Sequence, residues 1–163
     1  MGRKPKGRLT WDLDAIAAAL KIQPEDVREY FTDGRRVSFI LERRIAREVL
    51  KGQLAASEGA DHDLTDADGD KWEVRSITRG GIYFCPSYMV GSGRTFEPTG
   101  FLAKLDGIKG YILADVETFP DVPIYVVSAA EVRTWWQARQ LGSTTKVSRV
   151  KALQLLQALR PNT

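Results

Sequence analysis

The residues best suited to chemistry lie in one segment, Asp61 to Thr78, which reads DHDLTDADGDKWEVRSIT. Asp68-Gly69 is a typical turn pair. The apolar and β-branched residues after it are typical of a strand, namely Trp72, Val74 and Ile77. The segment is therefore predicted to form two short strands joined by a polar turn.

A turn centred near Asp68 brings residue 63 opposite residue 73 across the hairpin. Because side chains on a strand alternate between its faces, Glu73 and Arg75 are predicted to share one face. Asp63 then faces this pair from the neighbouring strand. Two carboxylates beside a cation form a plausible site for Mg²⁺ and a phosphate group.

The choice of the first acid depends on the register, because aspartates crowd this segment at positions 61, 63, 66, 68 and 70. Asp61 and Asp63 share a face by parity, and Asp63 is preferred because it aligns with Glu73. The alternative is a solvated acidic turn without a ligand, since aspartate is a common turn residue. His62 is interpreted as structural.

Apolar periodicity predicts an α/β (α+β) fold with a central mixed sheet between helices. The element order is helix, three antiparallel strands, helix and strand, followed by a further strand and helices. Helices are predicted at about 11–22, 24–31, 38–51, 99–105, 130–141 and 147–159. Strands are predicted at about 60–66, 71–78, 81–86, 111–116 and 124–127.

This αβββαβ order resembles the core of the PD-(D/E)XK nuclease superfamily, which includes many restriction endonucleases. The resemblance covers roughly residues 38–138. It implies that Asp63 is the acidic residue of the first core strand and that Glu73-Val74-Arg75 is the (D/E)XK triplet. It also implies that Glu42 is the glutamate of the preceding helix, that Asp63 and Glu73 bind the metal, and that Mg²⁺ is the cofactor, for which Mn²⁺ can substitute.

The triplet departs from the family pattern because Arg75 stands where lysine is usual. Arginine stabilises negative charge on a phosphate but does not deprotonate near neutral pH, so a general-base role is excluded. The metal would then lower the pKa of a bound water. Lys71 or Lys104 could instead supply a mobile cation, and an inactive relative of the family is a further alternative.

Three regions divide the chain. Residues 1–10 are predicted to be a basic flexible tail, and residues 11–36 a small helical extension that resembles a helix-turn-helix. Residues 37–163 are predicted to be the nuclease-like domain. The helix-turn-helix resemblance is weakened by Lys21 in the turn and by acidic residues in the second helix, so a packed helix pair without DNA contact is equally possible.

Basic and hydroxyl side chains around the predicted site are interpreted as DNA contacts. They are Arg35, Arg36, Arg43, Ser76, Thr78, Arg79, Ser87, Arg94 and Lys104. The net charge of +3 comes from the first ten residues, because the remainder has 20 basic against 21 acidic residues. Any DNA interface must therefore depend on local clusters of basic residues.

Composition limits the other classes of protein. The single cysteine, Cys85, excludes an internal disulfide and a cysteine-rich zinc site, which suits a reducing cytoplasm. No apolar run approaches the length of a membrane span, and no signal peptide is recognised. A length of 163 residues is sufficient for one well-packed core.

The sequence thus predicts a Mg²⁺-dependent endonuclease that cleaves double-stranded DNA in the manner of a restriction enzyme. A homodimer is expected, because one site addresses one strand. A junction resolvase or repair nuclease fits the same residues. The alternatives from other classes are a non-catalytic DNA-binding or regulatory protein with an inactive nuclease-like fold, and an interaction protein with no nucleic-acid role.

Overall fold

The computed structural model describes residues 2–57 and 61–162. Its helices are α1 (Leu13–Leu20), α2 (Pro24–Phe31), α3 (Gly34–Arg44), α4 (Pro98–Gly107), α5 (Ala129–Gln137) and α6 (Arg149–Ala158). A π-helical segment, Ile45–Leu50, continues α3, and short 3₁₀ turns span Ser87–Met89 and Val116–Thr118. Its strands are β1 (Gly7–Thr10), β2 (Gln53–Leu54), β3 (Leu64–Thr65), β4 (Lys71–Ile77), β5 (Ile82–Tyr83), β6 (Gly110–Asp115), β7 (Asp121–Ser128) and β8 (Lys146–Val147).

The main sheet has the strand order β1-β7-β6-β4-β3-β2. The pairing of β4 with β6 is parallel, and the other neighbours in this sheet pair antiparallel. Parallel neighbours need a crossover connection, which here contains α4. The sheet is therefore mixed, and the predicted α/β class with flanking helices is confirmed.

Alternation along β4 separates two hydrophobic cores, one on each face of the sheet. Trp72 and Val74 belong to the core under α1, α2 and α3. Ile77 belongs to the opposite core, which is built with α4, α5 and α6. The odd-numbered residues of β4 therefore face the α4 side, and Glu73 and Arg75 are among them.

The order helix, three antiparallel strands, helix, strand is present, but its first strand was assigned incorrectly from the sequence. The three antiparallel strands are β2, β3 and β4, whereas the predicted strand at 81–86 shortens to β5 and pairs with β8 in a separate two-stranded sheet. β2 escapes prediction because a two-residue strand has no detectable periodicity. The predicted strand 60–66 shortens to Leu64–Thr65, and position 60 lies outside the described residues.

Helix α3 begins earlier than its predicted start at position 38. Asp33 caps it, because its side chain accepts hydrogen bonds from the backbone N–H groups of Arg35 and Arg36. The Asp33-Gly34 pair therefore ends one helix and starts the next. The early start places Arg35 on the first turn of α3 rather than in a loop.

The expectation of a flexible tail over residues 1–10 is wrong for its second half. Gly7–Thr10 forms β1, which pairs with β7 at the edge of the main sheet. Arg3 forms an ion pair with Glu131 and donates a hydrogen bond to the Val126 carbonyl at 3.0 Å. The basic residues of this segment therefore help to attach it to the sheet.

The predicted helix pair at the start of the chain is present as α1 and α2. Lys21 ends α1 with a φ of 60°, in the left-handed region where glycine is usual. Val27 and Phe31 face the core, whereas Glu25, Asp26 and Glu29 are exposed. The outer face of α2 is therefore acidic.

Within the part of the chain that the structure describes, no helix combines the length and the apolar character needed to cross a membrane.

Candidate functional site

The central hairpin brings Asp63 beside the strand that carries Glu73. Leu64 pairs with Trp72 and Thr65 with Lys71, and the ladder between β3 and β4 ends there. The Asp63 N–H donates at 3.0 Å to the carbonyl of Trp72, which already pairs with Leu64, so Asp63 is not in register with Glu73. The predicted pairing of position 63 with position 73 is therefore not part of the ladder, although the charge of Glu73 is close enough to raise the pKa of Asp63.

The turn of this hairpin is held by its own aspartates. Asp66 Oδ1 accepts hydrogen bonds from the N–H groups of Asp68 and Asp70 at 2.9 and 3.0 Å, and its Oδ2 accepts one from the Trp72 indole at 2.9 Å. Gly69 has a φ of 84°, which glycine adopts without strain. Asp66 therefore has a structural role in the turn.

Glu73 is buried between two cations. Its Oε1 accepts a hydrogen bond from Arg75 Nη1 at 2.9 Å, and its Oε2 lies 2.9 Å from Lys104 Nζ. The Lys104 contact lacks hydrogen-bonding geometry, so Oε2 is a buried oxygen with no hydrogen-bond partner among the described residues. Such an atom is costly to bury, which makes it a candidate ligand for a cation.

Arg75 is fixed by three acceptors. Besides Glu73, its Nη1 donates to the Val74 carbonyl at 3.1 Å and its Nη2 donates to the Cys85 carbonyl at 3.2 Å. Its side chain is 16% exposed. The guanidinium is therefore held in one position on the α4 face of β4, next to the carboxylate that it partly neutralises.

Asp63 directly precedes β3 in the chain. Because β3 pairs only with Lys71 and Trp72, the rest of β4 has no strand paired to it on that edge among the described strands. Its Oδ2 accepts a hydrogen bond from the Val74 N–H at 2.8 Å. Burial is the main cause of a raised pKa for Asp63, and the negative charge of Glu73 raises it further, while the Val74 hydrogen bond, Arg75 and Lys104 oppose the shift. The Asp63 carboxylate is therefore close to the charges around Glu73.

Glu42 on α3 belongs to the same charge cluster. Burial, followed by the charge of Asp63, raises its pKa from 4.5 to about 7; Arg43 opposes this, Glu73 adds to it and Arg75 opposes it. Burial is the larger cause of this raised pKa, and the contribution of Asp63 indicates that Glu42 lies near the other carboxylates. The structure thus brings together Glu42, Asp63, Glu73 and Arg75, as the sequence predicted.

These acidic residues fit a divalent cation in chemistry, because hard cations prefer carboxylate oxygens. Glu73 Oε2 has no hydrogen bond among the described residues but has the Lys104 ammonium at 2.9 Å, so a divalent cation would have to replace that lysine. The raised pKa values of Asp63 and Glu42 follow mainly from burial. The three carboxylates are not within 4.8 Å of one another. In the described ranges only Asp66, Asp68 and Asp70 meet that distance, and Asp66 already serves the turn.

A cleft of about 1420 Å³ runs past the uncovered edge of β4. Val74, Arg75, Ser76 and Thr78 line it from the strand, and the first turn of α3 lines the facing wall. It reaches the charge cluster through Arg75, whereas Glu42, Asp63 and Glu73 are not among its lining residues. The basic and acidic side chains of its lining are Arg28, Arg35, Arg75, Arg79, Arg94 and Lys146 against Glu25, Glu29, Asp33 and Glu117.

Most of the residues interpreted as DNA contacts lie along this cleft. They are Arg35, Ser76, Thr78, Arg79, Ser87 and Arg94. Three others do not line it. Arg36 forms an ion pair with Asp33 at 3.8 Å, and the Arg43 guanidinium carbon lies 3.4 Å from the centre of the Phe39 ring. The third, Lys104, is engaged with Glu73 and the Asp61 carbonyl.

The other acid of the preferred face, Asp61, is exposed and lies outside the charge cluster. It contacts His62 at 2.8 Å and Lys71 at 3.4 Å, and its pKa is lowered, mainly by the His62 hydrogen bond. His62 also contacts the Thr65 hydroxyl at 3.0 Å. Asp63 therefore remains the preferred ligand, and Lys71 is engaged with Asp61.

The sequence assigned no role to Gly34 and left that of Lys104 open. Gly34 lets α3 approach β4 closely, since a Cβ there would lie 2.9 Å from the Ser76 Cβ. Lys104 was interpreted as a DNA contact or as a mobile cation, and the structure places its ammonium against Glu73. The predicted helix at 99–105 indicated that some residue of α4 would lie over one face of β4. The sequence did not indicate which helical residue would contact Glu73.

No family model matches this chain, and neither does any of the curated proteins with which it was compared.

Proposed function

We propose that the protein is a Mg²⁺-dependent endonuclease that hydrolyses phosphodiester bonds of double-stranded DNA, with a PD-(D/E)XK-like site. The observation that supports this most is the central hairpin, in which the Asp63 carboxylate accepts a hydrogen bond from the N–H of Val74, the residue between Glu73 and Arg75 on β4. Glu42 joins them from α3, as the raised pKa of its carboxyl indicates. These four positions are the ones that the family resemblance singles out.

The order of elements supports the same proposal. Helix α3 provides Glu42, and β4 carries Glu73 and Arg75 and is followed, after β5 of the small sheet, by α4 and β6. Asp63 precedes β3, which is the second of the three antiparallel strands, whereas the resemblance expected it on the first. These elements follow the αβββαβ order of the superfamily core. The resemblance therefore extends from the motif to the arrangement of the elements that position it.

In this reaction Asp63 and Glu73 would hold the cation, and Glu42 would complete or order its surroundings through water. The bound cation supplies Lewis acidity and lowers the pKa of water. Water attacks phosphorus, a new P–O bond forms and the P–O3′ bond breaks. One strand end keeps a 5′-phosphate, and the departing 3′ oxygen takes a proton, while Arg75 stabilises charge on the phosphate oxygens.

The cleft supports a nucleic-acid substrate, because its charged lining residues include more basic than acidic side chains and it borders Arg75. Cutting both strands requires a second site, so we propose that the protein acts as a homodimer. The single, buried cysteine is consistent with a cytoplasmic enzyme.

The test is incubation of supercoiled plasmid with the protein and Mg²⁺ or Mn²⁺, beside Glu73→Ala and a matched control. Asp68→Asn is that control, because Asp68 is an exposed acid of the same hairpin. The expected result is metal-dependent cutting that Glu73→Ala loses and Asp68→Asn retains. Salt-dependent DNA binding without cutting under any metal condition would instead favour a regulatory DNA-binding protein.

A further inference from the structure

Lys104 occupies an unusual position for a lysine in a DNA-contacting role. It projects from α4 on the face where Glu73 and Arg75 lie, and its side chain is only 15% exposed. Its Nζ lies 2.9 Å from Glu73 Oε2 and donates a hydrogen bond to the Asp61 carbonyl. Lysine is seldom buried without a partner, so this ammonium is held by the site itself.

The two cations on Glu73 are held differently. Arg75 makes directed hydrogen bonds to Glu73 Oε1 and to two backbone carbonyls. Lys104 is close to Oε2 without a hydrogen bond to it. A compact ammonium on a flexible four-carbon chain can leave such a contact with less loss than a planar guanidinium held at three acceptors.

Glu73 Oε2 is therefore a position where a lysine and a divalent cation would compete. We propose that Lys104 is a further catalytic residue: its ammonium neutralises Glu73 until a divalent cation binds, and then contacts the phosphate that is cleaved. This inference rests on the proposed nuclease function. It gives the role of a mobile cation to Lys104 on α4. Arg75 is held by its three acceptors, and Lys71 contacts Asp61 at the exposed end of the hairpin.

Calorimetry of Mn²⁺ binding at pH 8 tests the competition without depending on activity. Three variants are compared with the parent: Lys104→Met, Lys104→Arg and Lys71→Met. Lys71→Met is the matched control, because it removes the same charge from a lysine near the hairpin that does not contact Glu73. Thermal unfolding of each variant verifies that it is folded.

Lys104→Met is expected to bind Mn²⁺ about tenfold more tightly than the parent, because a competing unit charge is removed from within ~4 Å of the ligand atom. Lys71→Met is expected to bind as the parent does, and Lys104→Arg is expected to bind Mn²⁺ more weakly, because a guanidinium leaves the Glu73 contact less readily than an ammonium. In the plasmid assay Lys104→Met is expected to cut on the order of 10²-fold more slowly, since a charge at the phosphate is lost. Tighter metal binding with slower cutting is a combination that a merely structural lysine would not produce.

Equal Mn²⁺ affinity in the parent and Lys104→Met, with cutting intact in the parent, would overturn the role of Lys104 and leave the nuclease proposal standing. Tighter Mn²⁺ binding by Lys104→Met with an unchanged cutting rate would also overturn the role of Lys104 and leave the nuclease proposal standing. Weaker binding in Lys104→Met would also overturn that role. If Lys104→Met does not fold, weaker Mn²⁺ binding by Lys104→Arg than by the parent supports the competition, and equal or tighter binding overturns it. Absence of Mn²⁺ binding and of cutting in every variant would overturn both proposals.

Discussion

The Asp63 carboxylate accepts a hydrogen bond from the backbone N–H of Val74 at 2.8 Å, at the point where β3 stops and β4 continues. The Asp63 Oδ2 atom thus accepts the hydrogen bond of a β4 N–H group that has no strand partner on that edge. The contact fixes the carboxylate beside the strand that carries Glu73. An acidic residue that directly precedes a short strand therefore explains how the site acquires a defined carboxylate beside an unpaired edge of β4.

Asp63→Asn is expected to keep the fold and lose the activity. The asparagine Oδ1 can still accept the Val74 hydrogen bond, so the melting temperature should change little. The loss of a charged ligand should slow plasmid cutting by on the order of 10²-fold or more. Circular dichroism melting and the plasmid assay on the same sample measure the two effects, and cutting at the parent rate would show that Asp63 does not bind the metal.

Arg75→Lys is expected to retain substantial activity, because a cation remains on the same face of β4. Arg75→Ala is expected to cut on the order of 10²-fold more slowly, since a preorganised charge at the phosphate is lost. It also leaves the Cys85 carbonyl without its donor, at a cost of about 1–3 kcal/mol in the free energy of unfolding. If alanine cuts as fast as the parent, Arg75 has been assigned the wrong role.

The raised pKa of Glu42 predicts that the free energy of unfolding depends on pH. Its pKa is about 7 in the folded protein against the ordinary 4.5, so the folded state binds the proton more tightly. The stability that this carboxyl contributes is complete below pH 4.5 and is lost as the pH rises through about 7. Glutamine does not titrate, so Glu42→Gln should melt at a higher temperature than the parent at pH 8.

The comparison at acidic pH is the control for that prediction. At pH 4.5 both proteins carry a largely neutral group at position 42, so the two melting temperatures should approach each other. A stabilisation by Glu42→Gln that is the same at both pH values would contradict the raised pKa.

The position of Arg94 in the cleft leads to a prediction about the salt dependence of DNA binding. It is exposed and lines the cleft next to the site. If it contacts one phosphate, Arg94→Ala should reduce the slope of log affinity against log salt by about 0.9. Arg47→Ala is the control, because Arg47 is exposed on the π-helical segment and does not line the cleft. Equal slopes for the two variants in a titration of labelled duplex would move the interface elsewhere.

The sequence was sufficient to predict the hairpin because its signals are local. Asp68-Gly69 defines the turn, and the pairing of Leu64 with Trp72 and of Thr65 with Lys71 follows from it. The helices on either side follow from apolar periodicity in the same way. These features need only neighbours along the chain, and the structure confirms them.

The elements that the sequence did not predict depend on distant parts of the chain. β1 forms only because β7 offers an edge, and β2 only because β3 does. The contact between Lys104 and Glu73 depends on how the α4 crossover is placed over the sheet. Short strands and long-range ion pairs have no periodic signature, so they could not be read from local pattern.

The central claim is that a divalent cation binds between Asp63 and Glu73, and a crystal soaked with Mn²⁺ tests it most directly. The account predicts an anomalous-scattering peak in contact with the carboxylates of both residues, with the Lys104 ammonium displaced from Glu73. A peak confined to the Asp66, Asp68 and Asp70 turn, or no peak at a concentration that supports plasmid cutting, would contradict it.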